Sequence, residues 1–145
     1  MNYPRLFSPI TIKPGFTLKN RIFMPAIHSG LSEDGSVNAR FTEYYKARAV
    51  GGAGLLVIGA CRFNGKGGKP NVMHIDSDAD IPMWRAFTNE LHAAAPDCKL
   101  ALQLFHGGHV FFRKPPVRNA AHSAAPPAAF VSAAAEALAS FSISA

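Results

Sequence analysis

The sequence predicts an α/β fold on three observations. Between Leu18 and His109 the chain reads strand, helix, strand, helix, strand. Each strand runs into glycine, small or polar residues at its C-terminal end, where parallel α/β proteins keep their chemistry. The loops on that side are long, which favours part of a barrel over an open sheet, although right-handed crossovers permit either. The three strand ends are Met24-Pro25-Ala26-Ile27-His28, Ile58-Gly59-Ala60-Cys61 and Leu102-Gln103-Leu104-Phe105-His106-Gly107-Gly108. They combine apolar residues with an amide, two imidazoles and bare backbone, a combination suited to a planar polar ligand.

Taken in order, Leu6 to Ile12 and Phe16 to Leu18 alternate apolar with polar residues around Pro14-Gly15, which predicts a short hairpin plugging one end of a larger body. Arg21 to Ala26 is nearly all apolar, as expected of a parallel strand covered on both faces. After a loop from Ser29 to Val37, Asn38 is positioned to cap a helix carrying Phe41, Tyr44, Tyr45, Ala49 and Val50, closed by Gly51-Gly52. Gly54 to Ala60 is the second strand. A long connection from Cys61 to Ala79 follows, and Asp80 with Pro82 opens a helix bearing Trp84, Phe87 and Leu91 that Pro96 ends. Lys99 to Phe105 is the third strand.

From Arg113 onward the composition changes: 21 of the last 33 residues are Ala, Ser or Pro, with only Glu136 acidic. This predicts a low-complexity tail over 113–145 behind a structured part over 1–112, with at most a short Ala-rich helix from Ser132 to Leu138. Truncation or a shifted reading frame would produce such a change.

The chain has 145 residues, enough for one domain with a sizeable core, and 48% are hydrophobic. Its formal charge of +6 forms no basic stripe, which argues against nucleic acid and leaves anionic small molecules as partners. Cys61 and Cys98 lack metal-knuckle or redox-pair spacing, and the N-terminus carries Pro4, Pro9 and Pro14 without an apolar run. A reduced cytoplasmic setting without membrane association is the expectation.

Gly65-Lys66-Gly67-Gly68-Lys69 resembles a phosphate loop, but the spacing is wrong and no Ser or Thr follows the lysine, so it reads as a loop over the strand ends. His106 and His109 have a chelating spacing only on a helix, and Gly107-Gly108 oppose one, so no metal is expected. Gln103 is more informative. An amide within an apolar strand needs partners for two donors and an acceptor, and either neighbouring backbone or a ligand with an imide edge supplies them.

Leu6-Phe7-Ser8-Pro9, Leu18 to Pro25 (LKNRIFMP), Gly51 to Leu56 (GGAGLL) and Leu102 to Gly108 (LQLFHGG) together resemble the opening of the old yellow enzyme family. These are NADH:flavin oxidoreductases, including the 2,4-dienoyl-CoA reductase branch. The resemblance covers about Pro4 to Val110 and implies the N-terminal part of an FMN-binding TIM barrel: a hairpin, three of eight strands and two helices. It implies that Pro25, Ala26 and Ile27 lie along the isoalloxazine, that Gly59 and Ala60 let the ring approach the second strand, and that Gln103 bonds its pyrimidine edge. His28 is the candidate substrate contact, and at His109 the family usually has arginine. The implied activity is transfer of hydride from NADH or NADPH through FMN to a small molecule with an activated C=C bond. The family's fourth-strand active-site pair, proton donor and phosphate loops have no counterpart in this sequence, so a truncated N-terminal fragment is expected. A non-catalytic or partner-dependent half-barrel, open to self-association through unpaired sheet edges, is the alternative.

Overall fold

The computed structural model describes residues 3–63 and 68–108. The expectations for residues 65–67, for His109 and for the 113–145 tail lie outside these residues. The chain begins with an antiparallel hairpin of β1 (Ile10–Lys13) and β2 (Phe16–Leu18), turning at Pro14-Gly15 as the alternation predicts. There follow β3 (Phe23–Met24), α1 (Ala39–Val50), β4 (Leu55–Arg62), β5 (Met73–His74), one 3-10 turn at Asp78–Asp80, α2 (Ile81–Ala94) and β6 (Lys99–Phe105).

The central sheet is parallel and ordered β3-β4-β6, with β5 added beside the C-terminal end of β4. Successive β/α units therefore lay their strands side by side, the order of a singly wound barrel. Leu56, Ile58 and Leu100 enter one core with Phe41, Tyr45, Trp84, Phe87 and Leu91 from the helices. The Trp84 and Phe87 rings meet edge to face at 5.7 Å. Burying each such side chain contributes about 1.5–3 kcal/mol.

The opposite sheet face is different. Phe23 is 58% exposed, whereas the sequence predicts strands covered on both faces; among the described residues only the hairpin approaches this side, at the N-terminal ends of the strands. Ile10, Ile12 and Leu18 of the hairpin join Phe23, Leu55 and Val57 around a cleft of about 300 Å³. The hairpin thus lies against the N-terminal ends of the strands, as a plug would.

Four boundaries depart from expectation. The hairpin's first strand runs Ile10–Lys13 in place of Leu6–Ile12, because Leu6 N–H and Ser8 N–H donate to the Tyr3 and Arg5 carbonyls in local turns. The first strand shrinks from Arg21–Ala26 to two residues, because Arg21 N–H donates to the Leu6 carbonyl, Ile22 N–H to Asn20 Oδ1, and Pro25 has no N–H to give. The second strand runs two residues further, to Arg62, because β5 offers it a neighbour. Asp80 stands before α2 without capping it: its carboxylate accepts from the N–H groups of Asp76 (2.7 Å) and Ser77 (3.2 Å), tying back the preceding turn. Asn38 does cap α1, its Oδ1 accepting from Phe41 N–H at 2.9 Å.

Candidate functional site

At the C-terminal ends of the strands Ala26, Gly59 and Gln103 come together. A Cβ placed on Gly59 would stand 2.6 Å from Ala26 Cβ and 2.9 Å from Gln103 Oε1. The bare Cα therefore makes room first for its two neighbours, letting the Gln103 amide reach across β4 toward the end of β3. His28 forms an isolated parallel bridge with Gly59, which extends the strand pairing past Pro25.

Gln103 departs from the sequence reading of an amide enclosed within an apolar strand. It is exposed, and its side chain hydrogen-bonds to none of the described residues. The reason is the open sheet face: side chains on that side of β6 have no facing layer among the described residues. Pro25, Ile27 and His28 are exposed beside it, and Ala26 and Ala60 are half-buried. The sequence-predicted cofactor residues thus share one end of the sheet, with Pro25, Ala26 and Ile27 following β3, Gly59 and Ala60 in β4 and Gln103 in β6.

Behind Gly59, on the helix side, the buried Tyr45 hydroxyl approaches the Gly59 backbone without closing a hydrogen bond of regular geometry. Burial pushes its pKa up, so it stays a neutral phenol. Cys61 is fully buried. Desolvation, then the charges of Asp76 and Asp80, drive its thiol far above the ordinary range, which removes it as a nucleophile.

Sequence reasoning missed the polar cluster around β5. Arg62 Nη2 pairs with Asp76 Oδ2 at 3.4 Å, His74 Nδ1 lies 3.3 Å from Asp80 Oδ2, and Trp84 Nε1–H donates to the His74 carbonyl at 2.9 Å. Two residues of strand inside a long loop leave no periodicity to read. At the end of β6 the His106 ring lies 5.5 Å from Phe63 of the neighbouring strand end, and His106 Nδ1 accepts from Gly108 N–H. Among the described residues no group of three His, Cys, Asp or Glu could hold a metal ion, and no helix is long and apolar enough to cross a membrane.

The profile of the NADH:flavin oxidoreductase / NADH oxidase family matches residues 5–141. The chain belongs to that family. The match continues past Val110, where the motif resemblance ends. Among curated relatives, a metal reductase of Desulforamulus reducens is 36% identical over 103 residues, covering 71% of this chain and 15% of its own length. An NADPH dehydrogenase of Bacillus subtilis is 34% identical over 107 residues, covering 72% and 31%. In solved structures, the old yellow enzyme homologue of Zymomonas mobilis superposes with a TM-score of 0.62 at 34% identity, over 71% of this chain and 28% of its own. Morphinone reductase in complex with tetrahydroNAD gives 0.65 at 28% identity, over 74% and 29%. This chain therefore spans less than a third of the length of each, and the solved structures that it matches are TIM barrels.

Proposed function

We propose that this chain supplies the isoalloxazine cradle of an FMN-dependent oxidoreductase that takes hydride from NADH or NADPH and reduces an activated C=C bond in a small molecule. The observation that carries this reading is the convergence of Gly59, Ala26 and an amide at Gln103 that bonds no described residue, at the C-terminal ends of adjacent parallel strands. The donor set fits a flavin. An imide edge offers the donor and acceptors that a carboxamide lacking protein partners requires. Bound FMN would supply the redox chemistry, accepting hydride from the nicotinamide and passing it to substrate.

The chain's own residues bind and orient. Gln103 would hold the pyrimidine edge, Pro25, Ala26 and Ile27 would line the ring with apolar surface, and Gly59 and Ala60 would keep side-chain bulk away from it. His28, exposed and bridged to Gly59, is the candidate substrate contact. A half-barrel that docks a partner without turnover is the second reading, favoured by the exposure of Phe23, Ile27 and Leu104.

Titration of the chain with FMN, followed by flavin fluorescence, tests the first reading. These residues account for the ring alone and for neither phosphate nor ribityl, so saturable binding weaker than about 1 μM is expected, since a submicromolar Kd requires about 8 kcal/mol. No saturable binding at millimolar FMN removes the cradle and leaves the second reading.

A further inference from the structure

Along one edge of β4 three neighbours follow in turn. Leu55 and Leu56 pair with β3, Gly59 bridges His28, and Cys61 and Arg62 pair with Met73 and His74 of β5. β5 thus takes over the track that β3 leaves, immediately beside Gly59. Its other side is held by the loop that follows β3, for His74 N–H donates to the Gly35 carbonyl at 3.2 Å.

Gly35 is buried, with φ +85°. A Cβ there would collide with the Val72 carbonyl oxygen, stand 2.8 Å from that of Pro70 and meet the His74 ring at 3.0 Å. Both its conformation and its contacts therefore call for glycine. Its N–H donates to Ser32 Oγ at 2.9 Å, which fixes the loop from within. From the far side α2 braces the same segment: Trp84 donates to the His74 carbonyl, and Asp80 faces His74 Nδ1 while accepting from Asp76 and Ser77.

We propose that Gly35 is a positioning residue: it is the socket that seats the Pro70–His74 segment as a strap, and the strap fixes the Gly59–Arg62 end of β4. The loop after β3 and the Pro70–His74 strap then move as one wall of the site. The consequence for flavin rests on the reading given above; the mechanical coupling does not.

Gly35→Ala tests it in the chain as it stands. Trp84 is the sole tryptophan, so its emission reports the strap directly. The expected result is a red shift of that emission, with amide exchange at least tenfold faster both over 72–76 and over 59–62, while α1 keeps its protection. Faster exchange confined to 32–36, with residues 59–62 and Trp84 emission unchanged, overturns the proposal. If the variant does not fold, Asp80→Ala loosens the strap from its other end and leaves Gly35 intact; it must accelerate exchange over 59–62, and unchanged exchange there is equally fatal. FMN titration of the loosened variant separates the two ideas. Faster exchange at 59–62 with unaltered FMN binding supports the strap and removes only its consequence for flavin, whereas absent FMN binding in the unsubstituted chain removes the cradle and leaves the strap.

Discussion

Gln103 Oε1 lies 2.9 Å from the point at which a side chain on Gly59 would begin, and Ala26 Cβ lies 2.6 Å from the same point. Three strand ends are thus packed together where one of them has no side chain. The amide can swing away, being the far end of a flexible side chain, but Ala26 Cβ is fixed to its backbone.

Gly59→Ala should therefore destabilise the chain by about 1–3 kcal/mol, the usual cost of overpacking, and should displace Gln103. Urea unfolding measures the first effect and the chemical shifts of the Gln103 side-chain amide the second. Wild-type stability with an unshifted amide would mean that the three strand ends leave room for a side chain at Gly59.

Gln103→Leu separates ligand from fold. Because the amide is exposed and bonds no described residue, its removal strands no buried group, and apo stability should stay within about 0.5 kcal/mol. FMN binding should weaken by about 0.5–1.5 kcal/mol for each hydrogen bond lost. A lowered melting temperature with unaltered FMN binding would make Gln103 a structural residue.

Asp34 gives the loop after β3 an acid limit. The Ser36 hydroxyl and N–H, then the Ser32 hydroxyl, hold its carboxyl down to about 2 from an ordinary 3.8. A carboxyl depressed on folding contributes stability that is present above pH 3.8 and is lost as pH falls toward 2. Amide protection over 32–36, taken relative to the intrinsic exchange rate at each pH, should fall in that window, and Asp34→Asn should abolish the fall. A carbon-detected titration of Asp34 with an ordinary midpoint would contradict this.

Both cysteines should resist thiol reagents. Cys61 and Cys98 are buried, and desolvation raises both thiols. In native buffer the aromatic disulfide reagent should label fewer than a tenth of the thiols that it labels in guanidinium. Rapid native labelling of Cys61 would show that the strap beside it opens readily.

The sequence by itself determined the elements whose signals are local. Asn38 three residues before Phe41 sets the start of α1, because from the N-cap position its carboxamide reaches an orphan N–H of the first turn. Pro14-Gly15 sets the hairpin turn, and the apolar spacing of Trp84, Phe87 and Leu91 sets the buried face of α2. The motif order located Pro25, Ala26, Gly59 and Gln103 at strand ends. Tertiary structure decided what depends on partners distant in the chain. β3 is short because Leu6 and Asn20 take its first N–H groups; Asp80 serves Asp76 and Ser77 in place of the helix that follows it; and β5 exists because β4 and Gly35 flank it. The openness of Gln103 belongs with these, since burial is fixed by what faces a strand across the fold and no spacing along the chain records it.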